Sequence, residues 1–405
     1  MRNKKNINDL ALLGGSPVFS KIRSTSNLVK PDVEIFLKYT KKSFDKRWLT
    51  NNGPLVQELE CRLAELHQVR HCVSFCSGFW GLVLCIDQLS LPGKKEIVMP
   101  GMTYRRLADI AAWVNKTPHF CDVCVETLGP SVKTVDACIT KDTGLLLIAQ
   151  PIVHICDMEG LVDLARNRNV PILFDSVEAA YASLNGKMIG SFGDAECFSM
   201  HASKLINGFE GGYMTTDNTK SAESIKTMRA FGFSKQDNVV MMGLNAKLNE
   251  LHAAMALACL DDLDSQITRN KARYNIYCHL LSPIEGLNIV PYNQTEKRGY
   301  KNILVELNEH WPIAREATLK ILHSENMLAR PYYFPPLHTK KTDYETISAD
   351  LPTAELLTKR YLLLPSGEFV SDHDIQAIAS LLNFIQDNGA LIANTLGKNK
   401  DECKQ

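Results

Sequence analysis

"GLLLIAQPIVHICDMEGLVDLARNRNVPILFD", residues 144–175, holds two short apolar runs, 145–150 and 171–175, on either side of a segment whose apolar residues recur at helical spacing. Both runs are of strand length and lack polar alternation, as expected of strands covered on both faces. The same rhythm continues outward in "EIVMP" (96–100), "HFCDV" (119–123), "ECFSM" (196–200) and "GYMTT" (212–216). Strand runs alternating with helical stretches predict an α/β domain with a largely parallel sheet between helices, over residues 51–260.

The remaining organisation follows from that block. A helical stretch at 248–281 leads out of it, with 261–284 as a connecting helix, and "YKNILVEL", "IAREATLKILHSEN", "LLLPSG" and "HDIQAIASLLNFI" predict a smaller α+β domain over 285–390. Residues 1–50 read as a segment packing on the main domains, and 391–405, ending in "GKNKDECKQ", as a disordered tail. A chain of 405 residues exceeds the ~250–300 at which one core stops growing, so two domains are the natural expectation.

Composition narrows the function. The 45 basic and 45 acidic residues balance, so no global field recruits nucleic acid or an anionic membrane, and an anionic ligand must be held by local donors. "LALLGG" (10–15) is too short for a secretory core and no run reaches the roughly 18 apolar residues of a membrane span, which reads as a cytoplasmic protein. Most cysteines lie inside apolar segments as small hydrophobes, and "CDVC" (121–124) lacks the second pair or histidines of a zinc site, so no metal is expected.

In an open α/β sheet, ligands bind beyond the carboxyl ends of the strands. Asp175 closes one strand there, and a carboxylate so placed needs a cation or donor facing it, unless it simply caps the next helix. Lys204, in "SMHASKLINGFEGGYMTTDN" (199–218), follows another strand among small residues and glycines. A lysine desolvated in such a place has the lowered pKa that Schiff-base chemistry requires. "CSGFWG" (76–81) offers backbone N–H groups at a helix start for a phosphate, and "MPGMTY" (99–104) brings Tyr104 to a strand end, where it and Trp113 read as part of the following helix. A lysine for an aldehyde, a carboxylate for a ring nitrogen, an aromatic face and phosphate donors are together what pyridoxal 5′-phosphate (PLP) needs.

Several segments, in this order, strengthen that reading: "LALLGGSPVFS", "RWLTNNGPLVQELE", "SMHASKLINGFEGGYMTTDN", "FGF", "GLNAKLNELHAAMALACLDDLD" and "LARPYYFPPL". The chain resembles the DegT/DnrJ/EryC1/StrS family of PLP-dependent sugar aminotransferases over residues 10–385, most specifically around Lys204 and "GLNAKLNE". The resemblance implies PLP transferase fold type I with a seven-stranded type of sheet. It implies that Lys204 forms the internal aldimine and shuttles a proton, that Asp175 pairs with the pyridinium nitrogen, and that Tyr104 stacks on the ring. It also places Ser77, Gly78 and Ser199 in the phosphate cradle and has Asn245 reach the phosphate of a neighbouring subunit, hence a homodimer with shared active sites. The implied reaction moves an amino group, from glutamate in most of the family, to a keto sugar, nucleotide-linked and of the 4-keto-6-deoxyhexose type.

Four positions depart from the family pattern. Phe79 stands where a threonine hydroxyl is usual in the cradle, and Glu178 stands beside the cofactor's phenolic oxygen where Gln or His is usual. "QPIVHICDM" (150–158) and Gly299 in "KRGYKN" differ in substrate-side loops. These leave open a keto sugar phosphate or cyclitol as acceptor, a sugar dehydratase, and a non-catalytic ligand-binding relative. Lys204 argues against the dehydratase, whose relatives carry His at that place.

Overall fold

A computed structural model describes residues 4–26, 31–234 and 238–402, with side chains to 396. Seven strands form the main sheet: β1 (His71–Phe75), β2 (Glu96–Pro100), β3 (Thr117–Cys121), β4 (Thr143–Ala149), β5 (Ile172–Asp175), β6 (Ala195–Ser199) and β7 (Gly212–Thr216). The fold expected from the sequence is present. Only β7 runs antiparallel to its neighbours among the seven, and the spatial order is β3-β2-β4-β5-β6-β7-β1. An eighth, two-residue strand, Ile347–Ser348, adds in parallel to the β3 edge from far along the chain. Continuous burial of β4 and β5 explains their unbroken apolar sequence, since helices cover both faces.

The helix read between them is α5 (Met158–Arg168). Asp157 caps it by accepting the Gly160 N–H at 3.0 Å, and Asn169 ends it in the left-handed conformation. Before it come α1 (Val33–Lys46), α2 (Pro54–His67), α3 (Gly78–Leu89) and α4 (Leu107–Trp113); after it, α6 (Glu250–Asp261) and α7 (Leu263–Leu281). A second, antiparallel sheet follows, in the order β8 (Leu287–Ile289), β9 (Ile303–Leu307), Tyr361–Leu364, Arg330–Pro331. It is accompanied by α8 (Arg315–Ser324) and α9 (Asp372–Asp387).

Two buried carboxylates fasten distant segments. Glu250, at the start of α6, accepts the Leu55 and Val56 N–H groups at 2.9 and 3.0 Å and the Ser43 hydroxyl at 3.2 Å. Gly53 precedes α2 and has no side chain to cap it, so Glu250 satisfies the orphan donors and complements the helix dipole; a Cβ on Gly53 would fall 2.6 Å from its carboxyl carbon. "RWLTNNGP" and "GLNAKLNE" are thus two halves of one joint. Glu325, fully buried after α8, accepts the Ala11 and Val18 N–H groups and pairs with Lys4, which holds the N-terminal segment against the second sheet's helices.

One expectation is corrected. The end read as a disordered tail is helical from Gly389 to Glu402, α10, and of its apolar residues Ile392 is buried against the core while Leu391 is exposed. Residues 403–405 of that tail lie outside the described residues. Among the described residues, no helix is long and apolar enough to cross a membrane.

Candidate active site

β5 and β6 are neighbours, with Asp175 opposite Cys197, and their carboxyl ends deliver the two residues on which the sequence reading rests. Asp175 is 7% exposed, and among the described residues the one hydrogen bond to its carboxylate is from the Val177 N–H, at 3.4 Å. Burial pushes its carboxyl up to about 6, with Val177 and Lys204 pulling it partly back. A buried carboxylate so thinly satisfied is suited to a cationic N–H partner.

Lys204 is presented by a tight loop beyond β6. The Lys204 N–H donates to His201 O, the Ala202 N–H to Phe209 O and the Gly208 N–H to Met200 O, each at 2.8 Å, so backbone bonds fix the lysine's origin. Its ammonium donates to Glu178 Oε1. Glu178 Oε2 in turn accepts from Lys301 Nζ at 3.1 Å and Asn302 Nδ2 at 3.2 Å. Burial opposes the charge of Glu178, but Lys204 and Lys301 outweigh it and hold the carboxyl well below the usual carboxylate range. Glu178, the acidic departure from the family pattern, is therefore ionised and neutralised by cations.

The phosphate-cradle positions converge at the start of α3. Ser77 caps α3 with its hydroxyl accepting the Trp80 N–H at 3.3 Å. A Cβ on Gly78 would meet Ser199 Cβ at 3.2 Å, and one on Gly212 would lie 2.4 Å from Gly78 Cα. Glycine at both places lets the α3 N-terminus, the end of β6 and the start of β7 meet, which leaves backbone N–H groups beside two serine hydroxyls. Phe79 turns to Trp80 and Trp113, with ring centroids 5.4 and 6.4 Å away, and supplies apolar packing where a hydroxyl was looked for.

Tyr104 lies in the loop before α4 and not in the helix, half exposed. It reaches the site's periphery: burial raises the pKa of the Tyr333 hydroxyl well above its ordinary value, and Tyr332, Glu178, Asp175 and Tyr104 add to it electrostatically. Asn245 is exposed on a segment bridged to Ala230, and its neighbour Ala246 accepts the Cys76 N–H at 2.8 Å, beside the cradle positions. The Cys121 thiol is fully buried, and burial pushes it far above its ordinary value; among the described residues no cluster of His, Cys, Asp or Glu could hold a metal.

Residues 32–383 match the sequence model of the DegT/DnrJ/EryC1/StrS aminotransferase family. The chain belongs to that family. A dTDP-4-amino-4,6-dideoxy-D-glucose transaminase of Escherichia coli is 26% identical over 87% of this chain and 95% of its own length. A GDP-perosamine synthase of Escherichia coli O157:H7 is 26% identical over 85% of this chain and 94% of its own. Among solved structures, DesI in the presence of its TDP-sugar product superposes with a TM-score of 0.91 and 30% identity, over 96% of this chain and 99% of that one. The enzyme class read from the sequence, a sugar aminotransferase, agrees with family and relatives alike.

Lys301 and Asn302, which complete the Glu178 cluster, were missed in the sequence except as part of a substrate-side loop. Lys301 lies 123 residues from Glu178, so no local pattern could pair them. The pairing has a measurable consequence. Burial holds the Lys301 pKa below the ordinary lysine value, and Glu178 works against that depression. Between its folded and unfolded values the unfolded chain binds the extra proton, so stability rises with pH through that window. Glu178→Gln strands a buried ammonium and is expected to cost ~3–5 kcal/mol near neutral pH. Urea unfolding at rising pH will show the deficit shrinking as Lys301 becomes neutral; a deficit constant to pH 11 would contradict the pairing.

Proposed function

We propose that this chain uses PLP to move an amino group from glutamate to a nucleotide-linked 4-keto-6-deoxyhexose. The observation that carries the reading is the pair formed by a buried, thinly satisfied Asp175 and Lys204 at the ends of adjacent strands, above a glycine-built cradle. These residues fit the cofactor: Ser77, Gly78 and Ser199 hold its phosphate, Tyr104 covers its ring, and Lys204 carries it covalently. When bound, the group supplies an aldehyde that collects nitrogen and a ring that spreads negative charge. Asp175 keeps the proton on the ring nitrogen, which that spreading requires. With the group bound, Lys204 Nζ would be placed to take a proton from the donor's amine-bearing carbon and to return it on the far side of that nitrogen, the kind of transfer that positioned general bases accelerate. Glu178 orients the amine for it, and Lys301 balances Glu178 whenever Lys204 is otherwise engaged.

Asn245, exposed on its segment, is assigned to the partner's phosphate in a homodimer with shared sites, working in the cytoplasm. The nucleotide-linked acceptor is supported by the two curated relatives and by the sugar-bound neighbour. Offered dTDP-, GDP- and UDP-linked 4-keto sugars together with keto sugar phosphates and a keto cyclitol, the protein is expected to aminate a nucleotide-linked sugar first, using glutamate. Preference for an acceptor without nucleotide overturns the substrate, and a product that has lost oxygen and gained no nitrogen overturns the reaction.

A further inference from the structure

We propose that Arg298 binds a carboxylate of the amino donor, within the cavity it shares with Glu178 and Lys301. The inference rests on the aminotransferase reading and names a determinant of its donor side.

Arg298 is 6% exposed and lines a cavity with Glu178, Lys301, Asn302, Tyr181 and Gly299. Its Nη1 donates to Ser183 O at 2.6 Å and Lys297 O at 2.7 Å, which pins one side of the guanidinium. Its Nε is buried with no partner. Among the described residues no carboxylate lies within ion-pair distance of Arg298; Glu296, whose field reaches it, gives its carboxylate to the Ser183 hydroxyl and the Gly186 N–H. A buried arginine is normally paired, because an uncompensated cation in a dry place is costly.

The neighbourhood does not supply the missing anion. Of the residues lining the cavity, Lys301 and Arg298 share one carboxylate, Glu178, which already serves Lys301 and, from outside the lining, Lys204. Burial and the positive charge of Arg298 both depress the pKa of the nearby His154, which therefore adds no further positive charge. With Nη1 pinned, the free Nε edge of the guanidinium is the side that takes a planar carboxylate through two parallel hydrogen bonds. An amino donor carries a carboxylate on the very carbon that loses its amine, so it must bring that charge to the Lys204 neighbourhood. Ile152, Val153 and Ala180 give the cavity an apolar wall beside these charged groups. Gly299 contributes space: a Cβ there would come within 3.0 Å of Leu205, the residue after the lysine.

The test uses the PLP-loaded protein and glutarate, a dicarboxylate with no amine to transfer, titrated by calorimetry, with the donor and acceptor half-reactions timed separately. Arg298→Gln is expected to weaken glutarate at least about 30-fold, the loss typical of removing a buried charge partner, and to raise the glutamate concentration for half-maximal rate in parallel. The amination of the keto sugar by protein already carrying nitrogen should keep its half-saturating sugar concentration within about threefold. Arg298→Lys keeps the charge but not the fork, and should recover part of the glutarate affinity; it also serves if the Gln variant does not fold. Unchanged glutarate binding in both variants overturns the proposal. So does a loss confined to the sugar nucleotide, which would make the bound anion a diphosphate. A native protein that takes nitrogen from no amino acid would instead bring down the aminotransferase reading itself.

Discussion

Replacing Lys204 with alanine is expected to lower amino transfer by at least about four orders of magnitude, the upper range of what one positioned proton-transfer group supplies. On the proposed function the same residue would also carry the cofactor, so its loss would remove both functions at once. The fold should survive. The loop of Lys204 is held by backbone bonds that the substitution leaves intact, and Glu178 keeps Lys301 and Asn302 as partners. Circular dichroism and an unfolding curve close to those of the native protein, alongside lost turnover, are the expected pair of results. Turnover near the native rate in a folded Lys204→Ala protein would end the assignment.

Asp175→Asn carries the second large effect, and it acts in opposite directions on activity and stability. Asparagine keeps the volume but cannot supply the negative charge that holds a proton on the ring nitrogen, so turnover should fall by about two to three orders of magnitude. Stability without cofactor should rise. The Asp175 pKa is raised from 3.8 to about 6 by burial, so between those values the folded state holds a proton that the unfolded chain has released. Stability is therefore lost as pH climbs through that window, and at pH 7 the ionised carboxylate costs on the order of 2–3 kcal/mol that Asn would not. Thermal unfolding of the cofactor-free proteins at pH 7 should place Asp175→Asn above native, while at pH 4 the two should nearly coincide. Equal midpoints at pH 7 would mean that Asp175 carries no strain to be relieved by a cationic partner. A residue that destabilises the empty protein and is satisfied by its ligand is the expected signature of a working site.

What could be read from the sequence, and what could not, divides by distance along the chain. β4, α5 and β5 were legible because burial on both faces writes an unbroken apolar run and a helix writes its period into a dozen residues. Asp175 and Lys204 followed, since strand ends fix where a parallel sheet presents its side chains. Tyr104 was assigned to a helix that begins three residues later, at Leu107, an error of boundary rather than of place. The C-terminal helix was missed because its last residues are polar and its anchor, Ile392, is a single buried contact in the following turn. The pairing of Glu178 with Lys301 and the joint made by Glu250 and the α2 N-terminus could not be foreseen, because each needs two segments more than a hundred residues apart to meet. The packing of Phe79 also became readable only with its neighbours: its ring completes an aromatic cluster with Trp80 and Trp113.

The most direct test of the account is chemical. Protein incubated with PLP, reduced with borohydride, digested and analysed by mass spectrometry should carry one pyridoxyl group per chain, on the peptide containing Lys204. Attachment at Lys301 or another lysine, or no attachment beside a folded protein, would contradict the claim that Lys204 is the covalent anchor of the site.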